Sequence, residues 1–172
     1  RTNFKPAEDI GNFQKRINGL RIIRYQEILG EQRPVYDNWI DYYKVCFSKM
    51  IDVTTERTLQ PALLPPKVSH TNAVISIIFL DENDLVEFAG LTTSILFDFY
   101  IKSLGAANLT DNRLQSLPLG IDTSYLKYLK MRILRLNCLT KSYASLWQSQ
   151  YQSTFKQDNW SKTDSRLKLF ST

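Results

Sequence analysis

Two hydrophobic patterns divide the chain. From Val35, the stretch "VYDNWIDYYKVCFSKMIDV" is rich in Tyr, Trp, Val, Ile and Phe, residue types that fit a pleated, half-buried surface. Alternation there sets Val45, Phe47 and Lys49 on one face and Lys44, Cys46 and Ser48 on the other. "RTLQPALLPP" and "NAVISIIFL" read as two further strands, the first ended by prolines that cannot donate to a ladder. Upstream, to about Arg33, short apolar groups such as "LRIIRYQEIL" mix with polar residues in a pattern that suits a short helix or a strand. Residues 1–83 are expected to be mainly β.

The character changes at "DENDLVEF". Asp84 followed by Glu87 resembles a capping box, and an apolar segment then runs from Leu85 to about Leu104. Glu87 and Asp98 interrupt it and "GLTTS" dilutes it, so a buried central helix, with Leu96 and Phe97 in the core, is expected rather than a membrane span. After a loop or short helix in "SLGAANLTDNRLQSLPLG", a second helix starts near Thr123. Leu126, Leu129, Ile133, Leu136, Tyr143 and Trp147 fall on its apolar stripe, with Lys127, Lys130, Arg132, Arg135 and Lys141 over the remaining surface. That basic surface is either a solvated helix face or a phosphate-contacting one. Together these patterns give an α+β fold: one domain with a β-rich part over 1–83, a helical part over 84–157 and a loosely ordered tail over 158–172.

Charge refines this picture. The chain of 172 residues has a net charge of +5, unevenly spread. Residues 1–70 carry 11 Lys and Arg against 8 Asp and Glu, residues 71–120 carry 2 against 6, and residues 121–172 carry 9 against 3. Two basic ends around an acidic, apolar middle permit a polyanionic partner. The start at Arg1 without an apolar leader, and the polar end "WSKTDSRLKLFST", read as cuts in a longer cytoplasmic protein. Cys46 and Cys138 are expected as reduced, buried thiols, because neither a disulfide framework nor a zinc spacing surrounds them.

Catalytic patterns fail on inspection. Adenine amino-methyltransferases use an Asn/Asp-Pro-Pro-Tyr/Phe loop to hold and stack the target base. Here Leu64 precedes Pro65-Pro66 and Lys67 follows, so both the polar acceptor and the ring are missing. Neither a dinucleotide-binding glycine turn, a phosphate loop, a nucleophile elbow nor a Mg²⁺-holding nuclease set is present. A non-catalytic chain is expected, with no cofactor or metal of its own. Lys44, Lys49, Arg57, Lys67 and His70 remain, set in or beside the expected strands and interleaved with Trp39, Tyr42 and Tyr43. Arg reads guanine bidentately and Lys holds phosphates, so these five are the candidate DNA-binding residues. The plainer alternative is a set of solvated charges around core aromatics.

The order of segments adds more. "YYKVCFSKMIDVTTERTLQPALLPPKVSH", "NAVISIIF", "LVEFAGLTTSILFDFYIKSLGAANLTDNRLQSLPLG" and "RILRLNCLTKSYASLW" resemble, in sequence, the C-terminal part of large adenine-N6 DNA methylases. These are the type IIG restriction–modification enzymes and related phage-defence methylases. The resemblance spans roughly Tyr42 to Trp147; Thr55-Glu56-Arg57-Thr58 and Pro65-Pro66 match well, whereas Thr93-Ser94 stands where Asn-Ser is commoner. It implies a target recognition domain that reads double-stranded DNA, while the S-adenosylmethionine site and catalytic loop lie in an upstream methyltransferase domain of the parent, with or without an endonuclease domain. The reading from another class is a structural or protein-interaction domain whose basic helix docks on a partner subunit or neighbouring domain.

Overall fold

The computed structural model describes residues 20–157 and has the expected α+β architecture. Residues 1–19 and the expected tail over 158–172 lie outside the described residues.

Strands β1 (Leu20–Ile28) and β2 (Glu31–Asn38) form a two-stranded antiparallel ribbon of their own, which settles the helix-or-strand choice for "LRIIRYQEIL". Its turn needs two residues with positive φ. Gly30 takes +80° freely; Leu29 takes +56°, at a cost of about 1–2 kcal/mol for a side-chain-bearing residue. The aromatic stretch after Val35 is broken by a 3₁₀ turn at Trp39–Asp41 before β3 (Lys44–Ser48) begins.

β3 is the centre of a second antiparallel sheet, flanked by β4 (Ala62–Leu64) and β5 (Val74–Ile78) in the order β4-β3-β5. Its alternation is as expected from the sequence, but Lys44, Val45, Cys46 and Phe47 are all buried, so both faces are covered. "RTLQPALLPP" yields only the three residues of β4, because Arg57 to Gln60 are taken up in a loop held by side chains (below). Among the described residues β4 has no strand on its outer side. Instead Leu63 N–H donates to Asn137 Oδ1 at 2.9 Å, and the Leu63 carbonyl accepts from the Tyr143 hydroxyl at 2.8 Å. Side chains from the C-terminal helices thus satisfy the edge that a partner strand would otherwise occupy.

The expected long central helix is two helices. α1 (Glu82–Thr92) starts one turn earlier than the sequence suggests, capped by Asp81, whose carboxylate accepts from Asn83 N–H at 2.7 Å. Glu87 is not part of that cap; it accepts from Gly120 and Ile121 N–H at 2.7 and 2.9 Å and so fixes the loop entering a later helix. α1 stops at "TTS", where the Thr92 hydroxyl turns back on the Phe88 carbonyl and Ser94 caps the next helix, α2 (Ile95–Ser103). The change of direction turns Leu96 outward, 78% exposed, contrary to the core position expected for it, whereas Phe97 packs partly against the core. Leu96→Ala is therefore expected to change stability by no more than about 0.5 kcal/mol, while Phe97→Ala costs clearly more; urea denaturation of both checks this.

α3 (Asp111–Gln115) is a single turn; α4 (Thr123–Asn137) and α5 (Ala144–Gln150) follow, so the expected second helix also breaks, between Asn137 and Thr140. α1 lies between the sheet and α4. Gly90 is where α1 and α4 come closest: a Cβ there would sit 2.5 Å from Leu129 Cγ. The buried side of α4 is Met131, Ile133 and Leu134 with Lys130, while Leu136, expected on the apolar stripe, is exposed. The core joins Phe47 and Val45 of the sheet to Val86 and Phe88 of α1, with Leu134 and Leu146 behind. Phe47 and Phe88 meet edge to face with ring centroids 6.2 Å apart.

Candidate nucleic-acid interface

The five basic residues singled out in the sequence do not form one basic patch. Lys44 is fully buried, its ammonium donating to the Tyr42 and Ile40 carbonyls at 2.7 and 3.3 Å and lying 5.1 Å from the Trp39 ring centre. Burial pushes its pKa below the ordinary lysine value against the pull of Cys46 and Asp41. It holds the 3₁₀ turn and presents no charge to a ligand. Lys67 and His70 gather around the same turn. Lys67, at φ +66° in the bend after Pro65-Pro66, donates its N–H to the Ile40 carbonyl at 2.8 Å and pairs its exposed ammonium with Asp41. His70 places Nε2 2.7 Å from Ser76 Oγ and Nδ1 3.0 Å from the Thr71 carbonyl, its ring 5.7 Å from Trp39. Pro65-Pro66 thus ends a strand and seats a turn against Ile40. Of these three side chains, only that of Lys67 is exposed.

Lys49 lies past the end of β3, half-buried, with its main chain bonded to Ala73 and Leu109 at 2.8 Å each. Arg57 is elsewhere. Its Nη2 donates to the Thr93 carbonyl at 2.7 Å, and its Nε, buried without a hydrogen-bond acceptor, lies 3.6 Å from Asp98. Asp98 is the hub of this region. One carboxylate oxygen accepts from Thr58 and Leu59 N–H at 2.7 and 2.6 Å; the other lies 3.5 Å from Lys102, which also donates to the Thr55 and Glu56 carbonyls at 2.7 Å each. Burial alone would raise the Asp98 pKa. The hydrogen bonds from Leu59 and Thr58 and the charges of Arg57 and Lys102 outweigh burial and hold it below the ordinary carboxylate value. Thr55-Glu56-Arg57-Thr58 is therefore a latch that fastens a loop to α2, with Arg57 turned inward.

A different surface has the composition the sequence reading sought. Between Asp122 and Asp158 the chain has six Lys and Arg and no Asp or Glu. Lys130 is the inward member: it is buried, donates to Asn83 Oδ1 at 2.6 Å and Gln150 Oε1 at 3.2 Å, and has its pKa lowered by burial against the pull of Glu87, Asp81 and Asp84. It was expected on the surface; instead it ties α4 to α1 and α5. Arg132, Lys141 and Lys156 are exposed, and Lys127 and Arg135 half-exposed. Lys127 lies 4.9 Å from the centre of the Tyr128 ring. Tyr125, Tyr128 and Tyr151 are exposed beside them.

Two clefts open along the seam where α4 meets residues 140–157. The smaller, about 160 Å³, is lined by Lys127, Tyr128, Met131 and Phe155 among others. The larger, about 400 Å³, is lined by Arg135, Cys138, Thr140, Tyr143, Trp147 and Gln148, with Ala144. Trp147, on the wall of the larger, has its ring 6.3 Å from that of Tyr151 and 6.4 Å from that of Phe155, which lines the smaller. Cys46 and Cys138 are free, and burial raises each thiol's pKa to about 11, so neither supplies a thiolate at neutral pH. The sequence carried a signal for this surface. The gap between Asp122 and Asp158 is visible by eye, but charge totals over 121–172 include the acids that bound it.

No family model matches the chain, nor does a curated protein or a solved structure.

Proposed function

We propose that this chain is the DNA-recognition domain of an adenine-N6 DNA methyltransferase of the restriction–modification or phage-defence type. It performs no chemistry itself. Its partners are double-stranded DNA and the parent's methyltransferase domain, which supplies S-adenosylmethionine, in the cytoplasm. The observation that carries DNA as the ligand is the acid-free run of residues 123–157, which exposes cations and tyrosines. The run itself supplies no carboxylate, although Ser149 donates to Glu82 of α1 and Asp81, Asp84 and Glu87 lie near Lys130; its lysines and arginines would neutralise a phosphate backbone with release of counterions. The methyltransferase parent is supported by the resemblance alone. The segments that carry it meet in space, Arg57 to Leu59 on Asp98 and Leu63 on Asn137 and Tyr143, so they act as one set of fastenings rather than as scattered matches.

A specific feature favours the reading as a protein-interaction domain. α2 exposes Ile95, Leu96 and Phe99, and a cleft of about 440 Å³ beside it is lined by Leu96, Phe97, Tyr100, Leu117 and Pro118 with Ser116. Among the described residues no helix is long and apolar enough to cross a membrane, so this stripe is not a span. Fluorescence anisotropy of labelled duplex DNA between 50 and 200 mM salt separates the readings. Recognition of DNA predicts a linear fall of log K with log salt, of slope about −0.9 for each phosphate neutralised. Absence of salt-dependent binding leaves the protein-interaction reading.

A further inference from the structure

We infer that the larger cleft on the basic run of residues 123–157, between α4 and α5, takes a single unstacked base of the bound DNA. This rests on the nucleic-acid reading of that run and adds a site to it. The cleft's volume of about 400 Å³ falls within the roughly 300–1,000 Å³ range of small-ligand sites. Its walls are aromatic and held in place. Tyr143 donates its hydroxyl to the Leu63 carbonyl at 2.8 Å and stacks on Tyr43 at 6.4 Å, and Tyr43 is pinned in turn to Ser142 and Ser145. Trp147 is braced by Tyr151 and Phe155. Rings fixed in this way stack a planar ligand without a further loss of side-chain freedom.

The polar groups at the rim suit a base better than an apolar side chain. The Gln148 amide presents a donor and an acceptor side by side, the arrangement that pairs with a base edge, and the Thr140 hydroxyl serves either way. Arg135 lines the mouth and Lys141 is exposed one residue from Thr140, so cations border the place where the base's own phosphate would lie. The cleft beside α2, of similar size, has two hydroxyls, those of Tyr100 and Ser116, but no amide and no cation among its lining residues, and fits an apolar ligand instead. A tyrosine face, a tryptophan face, an amide, a hydroxyl and bordering cations, with no carboxylate among the residues lining the cleft, meet the needs of a nucleotide.

The test uses the full 172-residue chain and two duplexes of one sequence. In one, a central 2-aminopurine is paired with thymine; in the other it faces an abasic site, so that it leaves the stack easily. The displaced base is expected to bind roughly 5- to 100-fold more tightly, the range that base–aromatic stacking supplies, and its fluorescence to be quenched on the protein. Trp147→Leu, which keeps an apolar side chain against Phe155, should remove the preference and the quenching, so that the two duplexes bind alike. Equal affinity for the two duplexes, or an unquenched aminopurine in the bound complex, overturns the inference while the DNA interface stands. Failure of the chain to bind either duplex overturns both. The aminopurine signal with the unaltered chain decides the matter even if the Trp147 variant does not fold.

Discussion

Replacing Asp98 by alanine is expected to lower the stability of the fold by about 3–5 kcal/mol, the scale for removing one partner of a buried ion pair. Asp98 is 4% exposed and bonds two main-chain N–H groups, with Arg57 on one side and Lys102 on the other. Alanine leaves both N–H groups without an acceptor and Arg57 Nε, which has no other, without a counter-charge. Asp98→Asn keeps an acceptor but loses the charge, so its cost should fall between wild type and alanine in urea denaturation. The pH dependence separates the two effects. A carboxylate whose pKa is lower in the folded than in the unfolded chain adds stability that is full above the unfolded value, about 3.9, and is lost as pH falls through the folded value. The asparagine variant should therefore lose less stability than wild type on acidification below about pH 4. A residual slope is expected from Asp37, Asp52 and Asp122, each held low by side-chain hydrogen bonds from Tyr42, Thr54 and Ser124 respectively. Equal acid sensitivity of wild type and Asp98→Asn would show that the carboxylate's charge is not part of the latch.

The second expected result concerns DNA. Changing Lys127, Lys141 and Lys156 together to glutamate removes three cations from the acid-free run and places three carboxylates there. If each meets a phosphate, the magnitude of the salt slope should fall by about 3, and affinity should drop alike on all duplex sequences, since phosphate contacts carry no base information. Lys67→Ala serves as the comparison. Its ammonium is exposed but paired with Asp41, and it lies at the 3₁₀ turn. A change near 1 in slope for Lys67→Ala, with none for the triple variant, would move the interface to the sheet side. None of the four lysines is buried, so circular dichroism should show all variants folded.

The hydrophobic pattern showed the α+β division, the alternation of β3 and the start of α4, because each depends on residues adjacent in sequence. Where the pattern failed, long-range contacts had decided. Leu85 to Leu104 is apolar enough for one helix, yet the hydroxyls of Thr92 and Ser94 end one helix and cap another, and Leu96 turns outward in consequence. Lys44 and Lys130 looked like surface charges because a sequence does not show that main-chain carbonyls, or amides from Asn83 and Gln150, wait to receive an ammonium. The engagement of Arg57 was hidden for the same reason: its partner Asp98 is 41 residues away in sequence yet 3.6 Å away in space. The acid-free run was legible, since the absence of a residue type needs no tertiary knowledge, whereas the carboxylates that α1 packs against it, Glu82 on Ser149 among them, were not.

The fastening of β4 by Asn137 and Tyr143 also orders events during synthesis. These contacts join residues 74 and 80 positions apart, so a nascent chain emerging from the ribosome completes the three strands well before either fastening side chain exists. Over that interval Leu63 offers an unpaired N–H and carbonyl on an open strand edge, the template on which neighbouring chains pair. Fragments ending before Asn137 should consequently be prone to self-association, and the last two helices act as the intramolecular stopper that ends this exposure.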